Sequence, residues 1–435
     1  MQKLLCELSS STKFDSYLKN IKKEVTPIIL SGLTDVSKNL FLFATEEILK
    51  RPVLLITYNE IQAKNIVKDL KNMLGVAGER DIDKSDTGGK NAGRNNVGEV
   101  LYFPKREIMS YDYEAQSKEV YAERIRTLNR MYAKKANIVV TTIEAVSQKM
   151  ISKDVLFKNV LDLKIGKRYN LENLKQTLVA LGYERFDLIE GKGQFGIRGG
   201  IVDIAISSEK GVRVEFFDDE VDSIRYFNIQ SQRSTEMIEE IQIYPAYEFV
   251  LERTLEEITS DIKLSKTGTI KERQEEDIEE ILQGNYINKV DRYFDAFYKK
   301  QVTFLDYVSF DTIVFLDEIE KIKARIENIK NDNENVIKLL IEKEKIVPDA
   351  LKSMGDFNEF YGVGAKMVSV PKNVGVVDGI GGALDDKIIV YLLREELVGD
   401  KEALFNRSIF YQNSPSLIER TDENSSASEI RRTQT

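Results

Sequence analysis

The 435-residue sequence predicts an α/β protein in which a parallel sheet, covered by helices on both faces, carries an inserted small α+β region. Two observations predict this fold. Short, almost continuously apolar runs alternate with stretches of helical periodicity, which is the pattern of a sheet buried on both faces. In the middle of the chain, apolar residues instead alternate with polar ones between short turns, as they do in antiparallel sheets.

The first region, to about residue 150, supplies most of the predicted parallel sheet. Its strands are predicted at residues 27–30, 52–57, 100–104 and 137–142, and its helices at residues 38–49, 60–73 and 118–132. Residues 75–98 interrupt the alternation with glycine, aspartate, lysine and asparagine, a composition typical of a mobile surface loop. Further strands are predicted at residues 312–318 and 387–393.

The inserted region has its strands within residues 194–206 and 212–227. We expect Phe216 and Phe217 to lie mainly in the core, and Gly199 and Gly200 to serve backbone geometry. The region that follows is mostly helical. Its acidic run, residues 271–282, is interpreted as a solvated helix face.

Composition restricts the function. The net charge of −9 argues against a general attraction to DNA phosphates, so any nucleic-acid contact needs a local basic patch. One cysteine and no histidine argue against disulfides, zinc sites and Ser-His-Asp chemistry, and no metal site is predicted. No apolar run approaches the ~20 residues that span a bilayer, and no signal peptide is recognised. We therefore expect a cytoplasmic protein without a membrane partner.

A phosphate-loop pattern opens the first predicted helix, but two of its positions carry the wrong residues. A P-loop reads glycine, four residues, glycine, lysine, then serine or threonine, between a strand and a helix. Gly32 and Lys38 fit, whereas Ser37 replaces the second glycine and Asn39 the magnesium-binding hydroxyl. A side chain at position 37 restricts the backbone that would point amides at phosphate, and Asp35 adds a negative charge. The sequence therefore predicts a RecA/P-loop-like domain with a degenerate nucleotide loop.

Asp317 and Glu318, at the end of the strand 312–318, stand where such folds keep their metal-holding and water-activating acids. We interpret them as a degenerate Walker B pair, although strand-terminal acids also cap helices. The prediction is a retained but inactive site with no catalytic residue, no ATPase or helicase activity and no cofactor. Weak binding of ATP and magnesium without turnover is the alternative.

Several stretches of the sequence resemble the UvrB-like, amino-terminal module of bacterial transcription-repair coupling factors (Mfd). They are residues 32–39, 102–104, 110–112, 123–128, 193–204, 214–225, 231–234 and 315–318. With the composition, the resemblance implies a degenerate P-loop-like domain 1a (1–152), a UvrA-binding-type, UvrB domain 2-like insertion (153–246), a helical domain 1b completing the first domain (247–350), a shortened domain 3-like segment (351–420) and a disordered tail (421–435).

The resemblance ends before the polymerase-interacting domain and the translocase motor of that family, so we expect a truncated relative or a separate amino-terminal piece. Residues 111–113 run almost directly into the helix near Glu119, which leaves no room for the aromatic hairpin with which UvrB proteins clamp damaged DNA. Damage verification by strand clamping is therefore not expected.

The resemblance assigns the docking of UvrA to the inserted domain. Arg185 and Arg198 match partner-contacting arginines of UvrB, and Arg168 matches one of the coupling factors, with Phe186 as an apolar neighbour. A planar guanidinium forms paired bonds to carboxylates and is enriched at interface hot spots. A further arginine of the UvrB pattern is replaced by Gly196. The alternative is that each arginine only serves solubility or an intramolecular salt bridge.

The sequence thus predicts a non-catalytic docking module of nucleotide excision repair and transcription-coupled repair. It is expected to bind the damage sensor UvrA and to meet DNA only indirectly, through that partner. The alternative is a nucleotide-dependent DNA helicase or translocase fragment with residual ATP binding. A decoy that competes with a full coupling factor for the same partner is not distinguished from the first hypothesis by sequence.

Overall fold

A computed structural model describes residues 8, 10–26, 28–73, 99–106, 118–265, 268–342, 387–393 and 409–412. Its strands are β1 (Ile28–Ser31), β2 (Val53–Thr57), β3 (Glu99–Phe103), β4 (Ala136–Thr142), β5 (Met150–Ile151), β6 (Leu161–Lys164), β7 (Glu184–Arg185), β8 (Gln194–Arg198), β9 (Ile201–Ala205), β10 (Lys210–Phe217), β11 (Glu220–Asn228), β12 (Ser234–Ile238), β13 (Glu240–Ile243), β14 (Gln301–Val302), β15 (Ile313–Asp317), β16 (Ile388–Leu392) and β17 (Ile409–Gln412).

The helices flank these strands in sequence. They are α1 (Thr12–Lys22), α2 (Asp35–Leu49), α3 (Glu60–Met73), α4 (Lys118–Tyr132), α5 (Ile143–Val146), α6 (Lys153–Leu156), α7 (Leu171–Ala180), α8 (Leu255–Ser260), α9 (Thr269–Leu282), α10 (Phe294–Phe297) and α11 (Ile319–Glu342), with 3₁₀ turns at Ile287–Lys289 and Phe304–Tyr307. In the described part of the chain, none of these helices combines the length and the apolar character that crossing a membrane requires.

The main sheet has seven strands in the order β17–β1–β16–β15–β2–β4–β3. All neighbours are parallel except β17, which runs antiparallel to β1. Every residue of β2 and β15 is buried, because helices cover both faces of the sheet and leave no side for water. The α/β fold predicted from the sequence is confirmed.

Two apolar cores lie on the two faces of this sheet. On one face α3 packs Ala63, Ile66 and Leu70, whose spacing by three and four residues places them on one side of the helix. On the other face α4 buries Ile125 and Leu128 in the same way. The periodicity of 3.6 residues therefore decided which side of each helix meets the sheet.

The main sheet also contains β16, a strand that comes late in the chain. The apolar run of β16 was assigned to the domain 3-like segment 351–420, but it lies between β1 and β15 and pairs in parallel with both. Without β16, each of these two strands would lack a hydrogen-bonding neighbour on one side inside a buried sheet, where an unpaired backbone amide is costly. The predictions made for residues 75–98, 111–113, 351–386 and 421–435 concern parts of the chain outside the described residues.

A second sheet, of six strands in the order β12–β11–β10–β9–β8–β7, forms within the predicted insertion. Only the short β7 is parallel to its neighbour. One face packs against Leu174, Leu178 and Leu181, in and just after α7. The opposite side of the sheet, on which Arg198, Ile201, Asp203, Arg213, Glu215 and Phe217 lie, is called the outward face below.

Two expectations about side chains are corrected by this arrangement. Phe216 pairs with Val221 and packs partly against the core, but the pleat turns Phe217 to the outward face, where it is 81% exposed. The acidic run is not solvated throughout, because Asp277 on α9 is buried and accepts hydrogen bonds from Lys289 and Tyr293. In both cases the fold decides the direction of a single side chain, Phe217 toward solvent and Asp277 toward the interior.

Candidate functional site

The degenerate nucleotide loop joins β1 to α2 at the carboxyl edge of the main sheet. Gly32 adopts a left-handed backbone with φ of 73°, which a glycine tolerates without steric cost. Thr34 then caps the helix by accepting a hydrogen bond from the Ser37 amide at 3.3 Å. Because of this cap, α2 begins at Asp35, three residues before the predicted start. The Ser37 hydroxyl lies 2.9 Å from that of Thr34 and completes this local turn.

Lys38, the P-loop lysine, is buried in an ion-pair cluster. Its Nζ lies 2.7 Å from Oδ1 of Asp317 and 2.5 Å from Oε1 of Glu318. The other oxygen of Asp317 accepts a hydrogen bond from the Thr57 hydroxyl at 3.0 Å. Both oxygens of Asp317 are therefore already occupied by groups of the protein itself.

The electrostatics of this cluster hold the lysine charged. Burial alone would lower the pKa of Lys38, but the two carboxylates outweigh it and raise the pKa above its usual value. Lys321 lies on the far side of Glu318, with its Nζ 3.9 Å from Oε2, so the two carboxylates and two lysines are formally neutral. A phosphate group would have to compete with both carboxylates for Nζ of Lys38.

Asn39 stands at the position of the magnesium-binding hydroxyl and points elsewhere. Its Nδ2 donates to Oδ2 of Asp69 at 3.2 Å, and its buried Oδ1 has no hydrogen-bond partner among the described residues. The structure thus brings Gly32, Ser37, Lys38, Asn39, Asp317 and Glu318 to one edge of the sheet, as the sequence predicts. However, the polar side chains of this group mostly form hydrogen bonds with one another and with neighbouring residues of the protein.

On the outward face of the six-stranded sheet, a buried carboxylate holds two arginines. Asp203 is only 3% exposed and accepts two parallel bonds from Arg213, at 2.7 and 2.9 Å. NH2 of Arg198 donates to the same carboxylate at 2.9 Å. Bidentate pairing of this kind fixes the plane of a guanidinium. Two parallel bonds fix Arg213 in this way, whereas Arg198 is exposed and held to Asp203 by one bond, which is the intramolecular salt bridge of the alternative interpretation.

Arg168 lies on the same face, at the end that carries Phe217. It forms a bridge with Glu220, which is itself paired with Phe217, so the three residues share one row across the sheet. The Arg168 side chain is 71% exposed, and its Nε lies 3.5 Å from Glu220 and 3.7 Å from Asp219. Such exposed pairs contribute little to stability, so the guanidinium is easily released to another acceptor.

Arg185 and Phe186 occupy the edge of the sheet. Arg185 pairs with Phe195, whose side chain faces the core, whereas Arg198 lies three residues further along β8 on the outward face. Because side chains alternate between the two faces, Arg185 lies on the face of Phe195 and Arg198 lies on the outward face. The two positions are about 10 Å apart along the strand direction. Phe186 is 41% exposed, and its amide donates to the Phe195 carbonyl at 2.8 Å.

Because Gly196 has no side chain, the backbone at Phe186 can lie close to β8. A Cβ at Gly196 would come within 2.9 Å of the Phe186 carbonyl oxygen, which lies on backbone and does not give way easily. The arginine that the UvrB pattern has here would therefore displace β7. Sequence reasoning missed Asp203, Arg213, Ile201 and Phe217. The two-residue turn at Gly199–Gly200 could have predicted them. This turn sets Arg198 opposite Ile201, and the alternation of side chains along the strand then fixes the face on which the following residues lie.

This sheet lies in a segment that matches a known domain class. The family model described as UvrB interaction domain matches residues 161–249, which include all six strands, α7 and the three arginines. The inserted sheet therefore lies within a match to the UvrB interaction domain family.

The match with whole proteins is wider. Transcription-repair-coupling factor of Bacillus subtilis (strain 168) is 30% identical over 356 residues, which cover 79% of this chain and 28% of the relative. The factors of Staphylococcus haemolyticus (strain JCSC1435) and Staphylococcus aureus (strain bovine RF122 / ET3-1) are 28% and 26% identical, each over 72% of this chain and 26% of the relative. The chain is homologous to the amino-terminal part of transcription-repair-coupling factor, and the resemblance noted in its sequence is confirmed. It spans about a quarter of the length of these relatives.

Proposed function

We propose that the chain is a non-catalytic docking module of nucleotide excision repair that binds the damage sensor UvrA through its UvrB interaction domain. Any contact with DNA is then indirect, through that partner. The observation that carries the proposal is the outward face of the inserted sheet, on which Arg168 and Arg198 are exposed within the matched residues 161–249.

The chemistry of this face suits a carboxylate-bearing protein surface. A guanidinium has five donors, and Arg198 gives one of them to Asp203, so the others remain directed toward solvent. Because Asp203 already restrains the Arg198 side chain through this bond, part of its rotamer entropy is lost before a partner binds it. Arg168 has weak, solvent-exposed internal pairs that a partner's carboxylate can replace.

The geometry of the nucleotide loop supports the absence of catalysis. The lysine that would contact phosphates is buried against two carboxylates, and the residue at the magnesium position is hydrogen-bonded to Asp69. We propose that this cluster has become a structural ion pair and that ATP and magnesium are not required cofactors.

The docking proposal is tested by binding between the purified chain and UvrA of the same organism. We expect Arg168→Glu combined with Arg198→Gln, both on the outward face, to weaken binding by roughly 30-fold or more, the order of a hot-spot loss. Glutamine is chosen at position 198 because a glutamate there would face the buried Asp203. Arg273→Glu on the exposed side of α9 is the matched control. Unchanged binding of the double variant, with its melting temperature intact, rules out this surface.

The competing function, a DNA helicase or translocase fragment with residual ATP binding, makes a different prediction. A steady-state ATPase assay with DNA separates the two, because docking alone requires no turnover. ATP hydrolysis by the wild-type chain that disappears in Lys38→Ala would favour the motor fragment.

A further inference from the structure

Phe217 is a large apolar side chain held out into solvent by a well-defined hairpin. It ends β10 and is 81% exposed, whereas its neighbour Phe216 packs partly against the core. Asp218 follows with a left-handed backbone, φ of 60°, and closes the turn into β11. A bulge opposite Glu215 and Phe216 inserts Asp222 into β11, and bulges of this kind re-aim the residues beside them. The direction of Phe217 is thus set by backbone geometry.

A second hairpin lies directly beside this one. The Phe216 amide donates to the Gly200 carbonyl at 2.7 Å, and a Cβ at Gly200 would come within 2.7 Å of the Phe216 carbonyl oxygen. Only glycine permits this approach. It brings the β8–β9 turn, with the 37% exposed Ile201 next to it, to the same end of the outward face as Phe217. Two exposed apolar side chains, Phe217 and Ile201, therefore lie at the same end of the outward face.

Charged side chains of both signs surround Phe217 and Ile201. Arg198 lies on the Ile201 side, directly opposite it across the β8–β9 turn. Asp218, Asp219 and Glu220 lie on the Phe217 side, where Arg168 contacts only the last two. Asp218 is exposed and, in the part of the chain that the structure describes, has no ion-pair partner. An apolar centre with a charged rim is the arrangement of an interface hot spot.

We infer that Phe217 is the apolar anchor of the UvrA-docking surface and inserts into an apolar pocket of the partner. The rim of that pocket carries a carboxylate facing Arg198 and a lysine or arginine facing Asp218. The inference rests on the proposed function and specifies which residue dominates it. It also assigns the apolar part of the contact to Phe217, on the outward face, rather than to Phe186 at the sheet edge.

The experiment is a titration of purified UvrA against the full chain and its variants. Phe217→Ala is expected to weaken binding by roughly 30-fold. Phe217→Leu, which keeps an apolar side chain, is expected to have an affinity for UvrA between those of the wild-type chain and Phe217→Ala. Phe310→Ala is the matched control, because Phe310 is also 81% exposed but lies in the turn before β15 of the main sheet. Asp218→Lys should weaken binding as well, since it would face the cation of the rim.

The outcomes separate the inference from the proposed function. If the wild-type chain binds UvrA and Phe217→Ala binds equally well, the anchor is wrong and the docking proposal stands. If the wild-type chain does not bind, the docking proposal itself fails. Equal losses in Phe217→Ala and Phe310→Ala would overturn the anchor, as would self-association of the chain that Phe217→Ala abolishes. Because Phe217 is exposed, an unchanged melting temperature identifies a binding effect.

Discussion

Nε of Arg124 lies 2.9 Å from both carboxylate oxygens of Glu248, with both side chains buried. Arg106 joins the pair, with its NH2 2.7 Å from Asp291 and its NH1 3.7 Å from Glu248. Two arginines and two carboxylates thus form a neutral buried cluster. It connects α4 of the main sheet with the chain that leaves the inserted domain after β13, so it fixes the base of the insertion to the sheet.

We expect Glu248→Gln to lower the free energy of unfolding by roughly 3–5 kcal/mol, because it leaves a buried guanidinium without its carboxylate. The measurement is urea unfolding of both proteins. Glu60→Gln, which removes an exposed pair with Lys64 on α3, should cost less than about 0.5 kcal/mol. Similar losses in the two variants would mean that the buried cluster contributes no more than a surface pair.

Lys38→Met should destabilise the protein by about 3–5 kcal/mol, because Asp317 and Glu318 lose the cation between them. We expect the triple variant with Asp317→Asn and Glu318→Gln to recover part of that loss, since no unpaired charge remains buried. Unfolding curves test stability, and UvrA binding by the folded variants should stay at the wild-type level. A variant as stable as wild type would contradict the structural role proposed for the lysine.

The stability of the acidic helix α9 should depend on pH through Asp277. Burial alone would raise the pKa of Asp277, but hydrogen bonds from Lys289 and Tyr293 and the charge of Arg292 lower it below the usual 3.8. A carboxylate with a lowered pKa stabilises the fold fully above pH 3.8, and this contribution is lost as the pH falls through the lower, folded-state value. The stability difference between wild type and Asp277→Asn should therefore be constant above about pH 5 and shrink below pH 3.8. A stability difference between the two proteins that grows as the pH falls would contradict a lowered pKa of Asp277.

Gly211→Ala should destabilise the inserted domain by roughly 1–3 kcal/mol through overpacking. A Cβ at this position would lie 2.3 Å from ring atoms of the buried Phe227 and 3.1 Å from the Ile204 carbonyl oxygen. Gly191→Ala is the control, because a Cβ there meets no atom within 4 Å. Thermal unfolding measures both, and equal melting temperatures would mean that Phe227 moves aside without cost.

The elements of the fold were predictable where the apolar pattern was long and regular. The helix α3 has the predicted bounds, and β2 begins one residue later than predicted. The short strands β7 and β12 were missed, since their residues are mostly exposed and carry no apolar alternation. Two-residue and edge strands form because a neighbouring strand offers hydrogen bonds, and a local pattern does not contain that information.

By itself, the sequence determined the buried strands, the helical faces and the altered residues of the nucleotide loop, because these follow from periods of 2 and 3.6 residues and from the identity of single side chains. The tertiary structure alone decided that Lys38 meets an aspartate 279 positions away, that β16 completes the main sheet, and that Phe217 points outward beside Ile201. Contacts of that kind depend on the order of strands and the register of turns. A one-residue change of register would exchange the faces of the inserted sheet without altering its composition.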